Sequence, residues 1–311
     1  MGLLRRTALI AALAGVAVGQ TQQQSQEPVF RVDVQLVRLL ATVNDRNGQP
    51  VGGLDKTEFE IFDNGVKQEI ALFERHTAQP LSVAILLDIS GSTAGEMKYQ
   101  TDAVTRFVKA LFGEGNPEDS AALYTFNWEI TRAVDYTRSA GRFAERMKRL
   151  KAEAGTSLYD AILLAAEDIA DRPGRHVLVV VTDGGDTVSA SNYPRAMRAA
   201  HVADAVLYPI LTVPIRSEAG RNVGGENALT TMSQSTGGKL FAPGINGIDQ
   251  AFSDILRDLR TQYLIGYYPR AVPPSKDPFH KITVKPGRPE LRVVTRTGYY
   301  GDAVSSGTPR N

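Results

Sequence analysis

The chain contains no cysteine. That excludes disulfides, thiolate zinc sites and a lipid-modified cysteine near the N-terminus. Histidine is almost as scarce: His76, His176, His201 and His280 are scattered along 311 residues, a pattern of surface or packing residues rather than of a metal cluster or a catalytic centre. An excess of one charge is missing too, since 35 basic residues stand against 34 acidic ones. Nothing in that balance points to nucleic acid as a partner. Long apolar runs are also lacking. Residues 7–18, the longest near the N-terminus, fall short of the roughly 20 residues needed to cross a bilayer core of about 30 Å.

That short run follows Arg5 and Arg6 and ends in Ala17-Val18-Gly19, so residues 1–19 read as a secretory signal cut at Gly19/Gln20. Its removal takes away two arginines and no acid, leaving 33 basic against 34 acidic residues, a net charge of −1. The product is expected in the periplasm or outside the cell, with no membrane span. Residues 20–28 are rich in Gln and read as a flexible spacer. The remaining hydrophobic content, within a chain average of 42%, allows one or two domains with a sizeable core.

Two segments are apolar throughout. Leu81-Ser82-Val83-Ala84-Ile85-Leu86-Leu87 and Val177-Leu178-Val179-Val180-Val181 are short and β-rich, which marks strands buried on both faces of a parallel sheet. Between and after them, helical spacing alternates with strands. Met97, Val104, Phe107, Val108 and Leu111 share one helix face, Leu158, Ala161, Ile162, Ala165 and Ile169 another, and Ile248, Phe252, Ile255, Leu256 and Leu259 a third. A hairpin is expected across Asn127-Trp128-Glu129, a helix near 141–150, a helix at 193–203, a strand at 205–211, a helix near 226–235 and a short strand at 239–241. The alternation predicts a doubly wound, mostly parallel α/β sheet.

The flanks alternate with period two instead. Strands are expected over residues 30–43, at Phe59-Glu60-Ile61-Phe62 and at 67–73, the last two joined through Asp63-Asn64-Gly65, where Asn-Gly supplies positive φ. Residues 263–268, 279–284 and 291–297 read as strands again. Neither flank closes a core alone. The simplest assembly joins 29–80 and 263–302 in one small antiparallel β domain, with 81–262 as an α/β domain inserted between its halves and 303–311 as a disordered tail.

Chemistry gathers where the buried strands end. In open α/β sheets ligands bind beyond the carboxyl ends of the strands. Asp88-Ile89-Ser90-Gly91-Ser92 follows the first strand, Asp183 the second, and Thr156 follows Gly155 at the mouth of a helix. Hydroxyls with a few carboxylates suit a hard divalent cation such as Mg²⁺, which keeps several waters among about six oxygen ligands. Asp88 and Ser90 taken alone are also ordinary helix caps. Asp160 and Asp186 read as solvated or supporting residues, and Trp128 as a hairpin-edge residue.

At these residues the sequence resembles the von Willebrand factor type A domain, whose metal ion-dependent adhesion site uses Asp-x-Ser-x-Ser, a Thr and an Asp on three loops. The resemblance covers about 80–262. It implies that Ser90 and Ser92 bind the metal directly, Thr156 directly or through water, and Asp88 and Asp183 mostly through water. The metal, Mg²⁺ with Mn²⁺ or Ca²⁺ as alternatives, is then free to take a Glu or Asp carboxylate from a partner protein. The flanks, with Phe279-His280-Lys281-Ile282-Thr283-Val284 and Thr297-Gly298-Tyr299-Tyr300, are similar to those of a secreted group known from acidobacteria. The resulting expectation is an exported, non-enzymatic adhesion or assembly module. Two other readings are a structural envelope scaffold with a stabilising metal, and a metal-dependent phosphoryl hydrolase with Asp88 as nucleophile. The last is disfavoured because Ser90 stands where such hydrolases place a second Asp. The loops at 186–192 and 217–227 are expected to border the metal.

Overall fold

Strands with two buried faces need helices on both sides, and the computed structural model shows that arrangement. It describes residues 36–75, 78–212, 222–243, 247–273 and 277–301. The expected signal, the spacer, the tail and residues 30–35 of the first strand lie outside that set. The central sheet has the order β7-β6-β5-β8-β9, formed by β5 (Leu81–Asp88), β6 (Ser120–Phe126), β7 (Ile130–Thr137), β8 (Arg175–Thr182) and β9 (Ala205–Leu211). β5 runs parallel to β6 and β8, β8 parallel to β9, and β7 is the antiparallel edge.

Every residue of β5 and of β8 is buried. Successive side chains point to opposite layers. Val83, Ile85 and Leu87 pack with α1 (Met97–Glu114), α2 (Ala140–Met147) and α6 (Ile248–Thr261). Ala84 and Leu86 pack with α3 (Leu158–Ile169), α4 (Tyr193–Val202) and α5 (Val223–Thr236). Phe107 of α1 stacks on Phe252 of α6 at 4.5 Å between ring centroids. Each large side chain in these layers contributes about 1.5–3 kcal/mol through burial.

The flanks build a sandwich of two four-stranded sheets. One has the order β12-β1-β10-β4 and the other β13-β11-β2-β3. Their strands are β1 (Val37–Asn44), β2 (Phe59–Asp63), β3 (Val66–Gln68), β4 (Ile70–Glu74), β10 (Tyr263–Tyr267), β11 (Phe279–Pro286), β12 (Arg292–Val294) and β13 (Gly298–Tyr300). Each sheet takes strands from both flanks: β1 pairs with β10 and β2 with β11, both antiparallel. The β2–β3 turn has Asn64 at φ 46° and Gly65 at φ 84°, as the Asn-Gly pair requires. Val37, Leu39, Ile61, Tyr263, Ile265 and Ile282 are among the core residues. Buried Asp63 accepts hydrogen bonds from the Tyr267 and Tyr299 hydroxyls, each at 2.9 Å, and His280 Nδ1 lies 3.0 Å from its other oxygen. This cluster ties β10 of one sheet to β2, β11 and β13 of the other.

α6 passes into β10 without a linker, through Gln262 at φ −66° and ψ 142°. Three expected strands come out differently, the first being 67–73, which divides into β3 and β4 in different sheets. Residues 239–241 make only a single bridge, Phe241 to Ile210, and Gly238 lies so close to β9 that a Cβ there would be 2.0 Å from the Leu207 carbonyl oxygen. The run 291–297 pairs only over Arg292–Val294, after which the chain leaves the first sheet and joins the second as β13. Gly298 permits that entry, since a Cβ there would lie 2.2 Å from the His280 carbonyl oxygen.

Candidate metal centre

The parallel strands deliver three loops to one edge of the sheet. Asp88 closes β5 and is fully buried. Its Oδ1 accepts the Ser90 N–H at 2.8 Å, and its Oδ2 accepts the Thr182 hydroxyl at 2.7 Å. The Ser90 and Ser92 hydroxyls lie 3.0 Å apart. Thr93 donates to the carbonyls of Asp88 and Ser90 at 3.2 and 2.9 Å, holding the short 3₁₀ turn at Gly91–Thr93 against the strand end.

Thr156 is buried on the second loop. That loop is laced to the first by the Glu153 N–H donating to the Ile89 carbonyl at 3.0 Å, and to the third by the Thr187 N–H donating to the Thr156 carbonyl at 2.9 Å. Among the described residues the Thr156 hydroxyl makes no hydrogen bond. Asp183 begins the third loop directly after β8, and its Oδ1 accepts the Gly185 N–H at 3.2 Å. The structure therefore places Asp88, Ser90 and Ser92 together, sets Asp183 within electrostatic reach of Asp88, and interlocks the Thr156 loop with both neighbours.

The electrostatics are those of a buried carboxylate held by neutral donors. Burial pushes the Asp88 carboxyl up to about 6, against the pull of the hydrogen bonds from Ser90 and Thr182, and repulsion from Asp183 adds to the rise. No cation is among the groups that act on it. Among the described residues no cluster of three or more His, Asp or Glu is arranged to hold a metal. The donor set is instead mostly hydroxyl with two carboxylates. It fits a hard cation that keeps part of its water and suits softer, nitrogen-seeking metals poorly.

Asp160 and Asp186 have other work. Asp160 accepts the N–H groups of Ala190 and Ser191, both at 2.7 Å. Asp186 accepts the Tyr159 N–H at 3.2 Å and the Ser189 hydroxyl at 2.5 Å. Both shape the loop at 186–192. His176 and His201 are buried, and His176 is bonded to the carbonyls of Ala203 and Arg172. Part of the other expected border, residues 217–221, lies outside the described residues.

Sequence reasoning passed over two features. Thr182 binds the Asp88 carboxylate directly, and the only signal was a hydroxyl ending an otherwise aliphatic strand. The second is an apolar rim. Of five large hydrophobic residues exposed among the described ones, Trp128 (62%), Val188 (50%) and Val223 (58%) sit on loops joined to the site. Trp128 donates its N–H to the Ala154 carbonyl and covers Gly155, whose φ of 84° and lack of Cβ allow the approach. Val188 donates its N–H to Thr156. Val223 opens α5, whose Gly225 packs against the Gly184 carbonyl.

Residues 83–185 match the family model described as the von Willebrand factor type A domain. The vWF domain of the type V pili tip protein Mfa5 from Porphyromonas gingivalis superposes with a TM-score of 0.50 at 14% identity, over 58% of this chain and 95% of that one. The D319A mutant of the PilB minor pilin from Streptococcus sanguinis gives 0.48 at 13% identity, over 60% and 62%. An aerotolerance-related membrane protein from Bacteroides fragilis gives 0.45 at 17% identity, over 58% and 98%. At these identities the likeness is one of fold. No curated protein matches the chain at a significant level. Residues 83–185 of the central α/β unit thus match the von Willebrand factor type A family model, and that unit is carried between two β flanks.

Proposed function

We propose that this chain is an exported protein-binding module whose type A domain holds Mg²⁺ at Asp88, Ser90, Ser92, Thr156 and Asp183 and uses it to take an Asp or Glu side chain of a partner protein. The observation that carries this reading is the buried Asp88 carboxylate beside Asp183, with neutral hydroxyls around it and no cation acting on it. Ser90, Ser92 and Thr156 would hold the ion, with Asp88 and Asp183 orienting its waters. Mn²⁺ or Ca²⁺ could occupy the same oxygen set. The ion supplies an electrophilic centre that remains short of one anionic ligand, and a partner carboxylate completes it.

The chain's own residues explain why binding, rather than hydrolysis, is favoured. Ser90 occupies the position where a hydrolase of this geometry needs a second carboxylate for proton transfer. Trp128, Val188 and Val223 expose apolar surface on the loops joined to the polar centre, the composition of a recognition face. A pilus tip protein carries a domain of the same fold, in keeping with adhesion or assembly at the cell exterior.

The test is capture of partners from the native envelope with and without Mg²⁺, alongside Ser90→Ala. Loss of the captured protein in chelator and in the variant is expected; undiminished capture in excess chelator would overturn the reading. A scaffold whose metal only stabilises loops would instead show a changed melting temperature in Ser90→Ala with capture intact.

A further inference from the structure

The opposite end of the parallel sheet, where β8 begins, borders a cleft of about 150 Å³ between the type A domain and the sandwich. Arg175 from β8, Arg38 from β1 and Arg296 from the crossing between β12 and β13 line it, with Asp204 as the one carboxylate in its wall. Arg175 is only 6% exposed. Its Nη1 donates to the Leu259 carbonyl at 2.5 Å and to Gln262 Oε1 at 3.3 Å, and its Nε to the Gln79 carbonyl at 3.4 Å. All three acceptors are neutral. Among the described residues its Nη2 has no acceptor, and no carboxylate forms an ion pair with it. Burial draws the guanidinium down to about 10, with the more distant Asp119 opposing.

Arg296 is half satisfied. It pairs with Asp204 through Nη1 and donates from Nη2 to the Arg38 carbonyl at 2.7 Å, while its buried Nε has no partner. The cleft therefore collects three guanidinium groups against one carboxylate, and the buried Arg296 Nε lacks an acceptor. A buried cation with no carboxylate bonded to it directly is costly, and a guanidinium fork matches the oxygens of phosphate or carboxylate. A cavity of about 150 Å³ in an engineered protein accommodates benzene, so a compact anion has room here.

We propose that this cleft is a binding site for a small oxyanion, of phosphate or short dicarboxylate chemistry, held by Arg175, Arg296 and Arg38 between the two modules. The ligand bridges β1 of the sandwich and β8 of the type A domain, so its binding braces one against the other. It is independent of the metal centre at the far end of the same strands.

Calorimetric titration of the full chain with sodium phosphate and, separately, sodium malonate tests this, each against sodium chloride at matched ionic strength. Saturable binding at one site by either anion is expected, and the better binder identifies the ligand chemistry. Arg175→Gln should weaken affinity roughly tenfold or more, the loss of one charge-assisted hydrogen bond or more. Arg38→Ala, at an exposed strand position that leaves the core intact, should weaken it several-fold and serves if the buried variant does not fold. Ser90→Ala should leave affinity unchanged. Absence of saturable binding for both anions, or an affinity that survives Arg38→Ala, overturns the proposal.

Discussion

The two ends of the central sheet are built by the same strands and carry opposite charge. β8 starts at Arg175, in a cleft lined by three arginines, and hands over after Thr182 to Asp183, beside the buried Asp88. From Val177 to Val181 the strand is aliphatic and its backbone groups are used up by parallel pairing. Charge is tolerated only at the ends, where loops supply neutral partners: hydroxyls and an N–H for Asp88, carbonyl and amide oxygens for Arg175. Neither end supplies an opposite charge within bonding distance of its buried ion. The pairing teaches that strands buried on both faces present chemically distinct groups at their two ends, a carboxylate at one and a guanidinium at the other.

The most severe way to break that comparison is to remove the packing both ends share. Phe107→Ala takes away a buried ring stacked on Phe252 and should cost about 3–5 kcal/mol in chemical denaturation. It should weaken responses to Mg²⁺ and to phosphate together. A more selective change is Asp88→Ala. In the native chain Mg²⁺ at a hundredfold excess over its Kd should stabilise by about 2.7 kcal/mol, read as a rise in melting temperature. Asp88→Ala should abolish that rise while leaving anion binding at the other end unaffected.

The cationic end has its own pH signature. Burial, followed by the nearby Arg296, holds His201 down to about 4. An unfolded histidine titrates near 6.5, so between about 6.5 and 4 the unfolded chain binds the extra proton. Stability is therefore full above about 6.5 and falls as pH drops through the folded value, by an amount on the order of 1–3 kcal/mol. His201→Gln should flatten that acid slope in denaturation measured from pH 7 to 4.

The smallest expected effect on stability is at the metal end. Trp128 is exposed, and Trp128→Ala should change unfolding free energy by no more than about 0.5 kcal/mol. Its effect should fall on partner capture instead. A large stability loss with unchanged capture would make Trp128 a packing residue on Gly155 and not part of a recognition face.

Much of this architecture was legible beforehand. The aliphatic runs of β5 and β8, the helical faces of α1, α3 and α6, and the Asn64-Gly65 turn each carry a local pattern with a local physical cause. The chemistry at the strand ends was legible as residue types, since Asp88 closes β5 and Ser90, Ser92, Thr156 and Asp183 stand in the turns and loops beyond the strands. The crossing of residues 295–298 between sheets was not, because an alternating run looks the same whether it stays in one sheet or leaves it. The single bridge at Phe241 was missed for a similar reason: pairing length depends on the angle at which the chain meets β9.

By itself, then, the sequence determined the doubly wound sheet, the two-flank sandwich and the gathering of oxygen-bearing side chains at the strand ends. Those follow from periodicity and from the rule that polar residues collect where buried strands end. Only the tertiary structure decided that Thr182 binds Asp88, that Trp128, Val188 and Val223 are exposed on loops joined to that site, and that Arg38, Arg175 and Arg296 share a cleft. These residues lie far apart in the chain, and what brings them together is strand register and the packing of one module on the other, quantities no local pattern encodes.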